Sequence, residues 1–185
     1  MDLDKSIQER KSVRKFSNKK PDWRDIIETI DSCRYAPMSG NNYSLKFILT
    51  KDKEKIKKIA QACQQSFVEE APFVVVVLND PTRTLNLFGE RGQKYLKNQA
   101  GAAIENFLLK IQDYGLSSCW VGHFVEYLIK ETLKIPEGIE VEAVLPVGYE
   151  AKGIQTKRRK IDLNRILFFD KYGEKMMKDH SIVDE

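Results

Sequence analysis

Pro72-Phe73-Val74-Val75-Val76-Val77-Leu78 is β-branched and apolar without alternation, the pattern of a strand covered on both faces. Asn79-Asp80-Pro81 stops it. A doubly covered strand requires helices on both sides of its sheet, so the flanking sequence must supply them. Upstream, Leu3 to Glu9 predicts a short helix. Asp22 is an N-cap candidate after Pro21, and Trp23, Ile26, Ile27, Ile30 and Cys33 recur at helical spacing, predicting a buried stripe that ends near Tyr35. Asp52 can cap a third helix carrying Ile56, Ile59, Ala60, Cys63 and Phe67 on one face.

Downstream, Leu96, Ala100, Ala103, Ile104, Phe107, Leu108 and Ile111 mark the longest helix, with Gly115 as its stop. At about eighteen residues it would run roughly 27 Å. Its Ala100-Gly101-Ala102-Ala103 turn is small enough for a helix or a flat ligand to approach closely. Between Leu85 and Tyr95 the periodicity is poor and Gly89 and Gly92 interrupt it, which predicts an irregular or mobile stretch, a place for a lid. A helix from about Phe124 to Leu133 follows the extended segment Leu116 to His123. Leu45 to Leu49 and Val141 to Tyr149 predict further strands, and the short apolar cluster Ile166-Leu167-Phe168-Phe169 predicts an edge strand.

The bulk numbers bound the rest. A chain of 185 residues, 42% hydrophobic, supports one core and one domain spanning residues 1–185. A net charge of +4 suits anionic small molecules without indicating nucleic acid. The longest apolar run, Ala71 to Leu78, is far too short for a membrane helix. Met1-Asp2-Leu3-Asp4-Lys5 is not a secretory signal, so a cytoplasmic protein is expected. Cys33, Cys63 and Cys119 are widely spaced among apolar residues and read as core thiols; with only His123 and His180 besides, no metal site is expected.

Two basic stretches stand out. In Arg10-Lys11-Ser12-Val13-Arg14-Lys15-Phe16 an extended backbone would put Arg10, Ser12 and Arg14 on one face, the two arginines about 13 Å apart. That spacing suits both ends of an elongated phosphorylated ligand, which guanidinium groups grip in pairs. Lys157-Arg158-Arg159-Lys160 lies in a polar loop; neither stretch is interleaved with the aromatics of a nucleic-acid surface. The chain lacks Gly-x-Gly-x-x-Gly, a P-loop, Gly-x-Ser-x-Gly and His-Glu-x-x-His, and no carboxylates form a convincing acid/base pair. An enzyme with so few catalytic side chains usually borrows its chemistry from a cofactor.

In order along the chain come Arg10-x-Ser12-x-Arg14-x-Phe16, Ala36-Pro37-Met38-Ser39-Gly40-Asn41, Gly115-Leu116-Ser117-Ser118-Cys119-Trp120-Val121-Gly122, Ile135-Pro136-Glu137-Gly138 with Leu145-Pro146-Val147-Gly148-Tyr149, and Asp170-Lys171-Tyr172-Gly173. This set resembles the nitroreductase family. The resemblance implies an α+β fold of three layers, α/β/α, with a central mixed, mainly antiparallel sheet flanked by helices and a C-terminal strand exchanged in a homodimer. It implies an FMN-dependent oxidoreductase that takes a hydride from NAD(P)H and passes two electrons to a nitroaromatic, quinone or related acceptor by a ping-pong mechanism. A flavin-binding sensor or FMN-processing protein of the same fold is the alternative. The implied FMN-binding residues are Arg10, Ser12, Lys157 and Arg159 (or Arg158) at the phosphate, Arg14 at the ribityl chain or ring, and Pro37, Met38, Ser39 and Asn41 from the second subunit. Val121 and Gly122 would lie at the ring, the Gly122 N–H facing N5. No catalytic side chain and no metal are implied. The chain departs from the family's pattern at Met38, at Asn42-Tyr43-Ser44-Leu45 and at Gln99.

Overall fold

The computed structural model describes residues 2–152 and 161–177. Strand β2, Phe73–Asn79, is buried at every position, as the unbroken apolar run predicts. It lies between β1, Leu45–Thr50, and β4, Glu140–Gly148; the two-residue β3, Ser117–Ser118, adds beyond β4, giving the order β1-β2-β4-β3. All three ladders are antiparallel, with a register shift between Val77 and Leu78.

The pleat of β2 divides the core in two. Phe73, Val75 and Val77 join Ile26 and Cys33 from the segment of α2 (Trp23–Ser32) and Ala103, Ile104 and Phe107 from α6 (Arg91–Lys110). Val74, Val76 and Leu78 join Ile56 and Ile59 of α3 (Lys53–Cys63), Val68 of α4 (Phe67–Glu70) and Ile129 of α7 (Glu126–Leu133). Successive side chains point to opposite faces of a strand, so one apolar run nucleates both layers. Each fully buried Leu or Ile contributes roughly 1.5–3 kcal/mol by leaving water. The fold is therefore α+β in three layers. Helix α1, Leu3–Glu9, rests against α6, and Gln112 in the 3-10 turn that follows α6 donates through Nε2 to the Ser6 carbonyl at 3.0 Å.

Several local expectations change. The stretch Leu85 to Tyr95 is not irregular: α5, Thr82–Phe88, ends at Gly89, whose φ of 56° stops the helix, and α6 begins two residues later. Gly92 hides the pattern because it serves close packing; a Cβ there would stand 3.0 Å from the Thr84 carbonyl oxygen and 3.1 Å from Leu85 Cδ2. Helix α6 consequently has 20 residues, about 30 Å of rise, and starts before Leu96. Helix α3 stops at Cys63, capped by Gln64 in the left-handed region (φ 54°), so Phe67 belongs to α4. On α2 only Ile26 and Thr29 are buried, while Trp23 and Ile27 remain 44% and 45% exposed. Ile166–Phe169 forms no strand with its own chain among the described residues; a turn of 3-10 helix, Leu163–Arg165, precedes it, and Ile166 is exposed.

The basic N-terminal segment is sewn onto the end of β4. Ser17 N–H donates to the Tyr149 carbonyl at 2.8 Å, Ala151 N–H to that of Lys15 at 3.0 Å, and Val13 N–H to that of Ser118 at 3.1 Å. Val13 and Phe16 are buried with Ala71. Gly148 permits this seam, since a Cβ there would meet Pro72 Cδ at 2.8 Å and Phe16 Cδ1 at 3.0 Å. Gly148→Val should therefore destabilise the protein by about 1–3 kcal/mol, an overpacking cost, read from the urea midpoint. The buried thiols give a second expectation. Burial pushes Cys33 and Cys63 up to about 12, so both stay protonated at pH 8 and should react with a disulfide reagent only after unfolding. Because the folded-state pKa is the higher one, their contribution to stability is intact below the unfolded thiol's value and declines as pH rises above it; chemical denaturation between pH 7 and 10 measures that loss.

Candidate functional site

The seam leaves Val13 inward and Arg10, Ser12 and Arg14 accessible to differing degrees: Arg10 and Ser12 are half-buried and Arg14 is exposed. Arg10 Nε lies 3.3 Å from Glu105 Oε1 on α6, a partly exposed pair of small intrinsic value that orients the guanidinium. Lys11 turns away to Glu150 at 2.8 Å. Arg14 has no ion-pair partner among the described residues. Burial holds the Cys119 thiol above its usual range, opposed by the nearby charges of Arg14 and Arg10 and by the Ser12 side chain.

After β3 the chain continues beside β4. Val121 and Val144 exchange both backbone hydrogen bonds at 3.0 Å, burying Val121 and turning Gly122 to the surface. Gly122 N–H has no partner among the described residues. The neighbouring Trp120 is 41% exposed and leans toward α6, its Cη2 3.8 Å from where a Cβ on Gly101 would stand. Val13, bound to Ser118, brings the segment that carries the two arginines alongside the chain leading to this amide, close enough for both arginine charges to act on Cys119. The cavity beside Arg10 measures about 50 Å³, too small for a flavin, so a ligand of that size would lie on the open surface.

Pro37, Met38, Ser39 and Asn41 sit elsewhere. Met38 packs on the core; Ser39–Asn41 is a 3-10 turn with Gly40 at φ 59° and Asn41 at φ 52°. Ser39 directs both its N–H and its hydroxyl to Gln99 Oε1, at 3.2 and 2.9 Å. Gln99 Nε2 donates to Ser44 Oγ, and Asn42 Nδ2 donates to Thr84 Oγ1 at 2.8 Å. Pro37 and Asn41 are exposed. None of the hydrogen bonds or ion pairs among the described residues joins this loop to Arg10–Arg14. Both groups lean on α6, at Gln99 and Glu105, about 9 Å apart along the helix. Lys157 and Arg159, like Arg158, lie outside the described residues. Glu105 and Thr84 were invisible to motif reading; Ser44 and Gln99 showed only as departures from the family's pattern, Gln99 also as an amide within the apolar stripe of Leu96, Ala100 and Ala103.

This surface suits a long ligand with an anionic end. Arg10 and the Ser12 hydroxyl suit a phosphate and Arg14 a polar group further along the ligand, and the Gly122 N–H, without a partner among the described residues, suits an acceptor atom. Among the described residues no cluster of three or more His, Cys, Asp or Glu could hold a metal, and no helix is long and apolar enough to cross a membrane.

A sequence model described as the Nitroreductase family matches residues 7–70 and 60–149. A protein of Archaeoglobus fulgidus provisionally named an NADH dehydrogenase/NAD(P)H nitroreductase is 30% identical over 150 residues, covering 78% of this chain and 83% of its own. The crystal structure of a nitroreductase family protein from Clostridium novyi NT superposes with a TM-score of 0.76 at 28% identity, over 95% of this chain and 97% of that one. An FMN-dependent nitroreductase from Clostridium difficile R20291 shares the fold, with a TM-score of 0.77 at 21% identity over 90% and 98% of the two chains.

The loop's anchoring makes a testable contrast. Thr84→Val strands the buried Asn42 amide and should cost about 1–3 kcal/mol. Asn41→Gly, at an exposed left-handed position, should be neutral or stabilising by up to about 1 kcal/mol; thermal and urea unfolding of the two variants measure both.

Proposed function

Since the chain belongs to the nitroreductase family, an oxidoreductase family, we propose that it is a cytoplasmic, FMN-dependent enzyme, acting as a homodimer, that takes a hydride from NAD(P)H and reduces a nitroaromatic, quinone or related acceptor by a ping-pong mechanism. The observation that carries this reading is the junction of the Arg10-Ser12-Arg14 segment with the open Gly122 amide. When bound, FMN supplies the two-electron chemistry that the side chains lack.

The chain's own residues then bind and orient. Arg10, held by Glu105 through Nε, keeps its terminal nitrogens for the phosphate, with the Ser12 hydroxyl beside it. Lys157 and Arg159 are proposed to join them. Arg14, exposed and without an ion-pair partner among the described residues, would face the ribityl chain or the pyrimidine edge, where a fixed positive charge favours a ring that gains negative charge. Gly122 would present its N–H at N5, and the absence of a side chain there leaves the ring face open. Within one chain no hydrogen bond or ion pair among the described residues joins Pro37, Met38, Ser39 and Asn41 to these groups, which accords with their serving the site of a second copy. The half-buried Gly101 and Ala102 on α6, and the exposed Ile166, fit a second copy docking there.

Purified protein should take up one FMN per chain, turn yellow and bleach with NADH or NADPH, with reoxidation by a nitroaromatic or quinone in stopped flow. Each lost charge-assisted contact is worth about 1.5–3 kcal/mol, so Arg10→Ala with Arg14→Ala should weaken FMN binding at least a hundredfold while circular dichroism stays unchanged. Stoichiometric flavin in the double variant at wild-type affinity would show that the clamp is elsewhere.

A further inference from the structure

Gln99 is 3% exposed on the face of α6 that buries Leu96, Ala100 and Ala103. A primary amide in such a place is tolerated only if its groups are paired, and one loop pairs them. Oε1 accepts from Ser39 N–H and Ser39 Oγ, and Nε2 donates to Ser44 Oγ. One side chain thus fastens both ends of the Ser39–Ser44 loop to the same point of a 20-residue helix.

What the loop does between those ties depends on them. Gly40 and Asn41 are successive left-handed residues, and for a side-chain-bearing residue that conformation persists only when contacts offset its cost. The neighbouring Asn42 is pulled inward to Thr84, and the Phe88 ring closes over Gly40, 3.1 Å from the position of a Cβ. The donors of Ser39 are spent on Gln99. Asn41 is left as the amide side chain that faces outward.

We propose that Gln99 is a positioning residue for the flavin site: without touching the cofactor it fixes the Ser39–Ser44 loop so that Asn41 presents its amide to the ring system, and as a neutral group it adds no negative charge beside a ring that becomes more anionic on reduction. This rests on the FMN reading above. A carboxylate at the same place would accept the same bonds from Ser39, and a rotated Ser44 hydroxyl could donate to its second oxygen. Geometry and charge are therefore separable by substitution.

The test compares wild type, Gln99→Leu and Gln99→Glu, each titrated with FMN at pH 8, with the midpoint potential of the bound flavin and amide hydrogen exchange of the loop measured in parallel. Gln99→Leu keeps the volume of the buried side chain and loses all three bonds; exchange at Ser39 and Asn41 should quicken and the FMN dissociation constant rise about tenfold. Gln99→Glu should restore affinity to within about threefold of wild type and lower the midpoint potential, which a merely structural role would not do. Wild-type affinity in Gln99→Leu despite a loosened loop, or an unchanged potential in Gln99→Glu, overturns the proposal. If Gln99→Leu does not fold, the potential of Gln99→Glu decides alone. Wild-type protein that binds no FMN would instead overturn the flavin reading itself.

Discussion

Seven consecutive buried residues leave β2 no face for water, and that constraint propagates outward. Because alternate residues of a strand point oppositely, Phe73, Val75 and Val77 recruit α2 and α6, while Val74, Val76 and Leu78 recruit α3, α4 and α7. Neither layer could be removed without exposing half of the strand. The antiparallel partners β1 and β4 then fix where β3 runs, and so where Gly122 emerges.

Helix α6 is the second organising element because it faces two ways along its length. Glu105 orients Arg10 near its C-terminal half, and Gln99 fastens the Ser39–Ser44 loop nearer its start. Between them the small residues Gly101 and Ala102 are half-buried, with Trp120 leaning in from β3's side. A rigid helix carries these positions at a fixed separation, which a loop of the same length could not do.

The parts of the fold legible in the sequence were those where one physical signal dominates. The Phe73 to Leu78 run could only be a covered strand, and Asp22 and Asp52 cap their helices by accepting from the amides of Arg24 and Glu54. Illegible parts were those where a residue serves tertiary packing. Gly89 and Gly92 read alike as helix interruptions, yet one ends α5 and the other lets α5 and α6 touch. Trp23 and Ile27 followed the apolar spacing and still face outward, since periodicity marks a face but not what covers it. At the site, Arg10 to Lys15 forms no strand and only Phe16 bridges to Glu150, so the alternation read from an extended backbone is met at Val13, which turns inward between the more accessible Ser12 and Arg14. That Ser39 spends its donors on Gln99 was not readable, because the bond spans 60 positions of sequence.

The seam between the N-terminal segment and the end of β4 also bears on how the site comes into being. Phe16 pairs with Glu150, Lys15 with Ala151 and Val13 with Ser118, contacts between sequence that leaves the ribosome early and sequence that leaves it late. Such long-range pairings form slowly because a large loop must close first. The segment that carries Arg10 and Arg14 therefore finds its place only once β4 has been synthesised and docked, so its placement depends on the whole sheet rather than on any one layer.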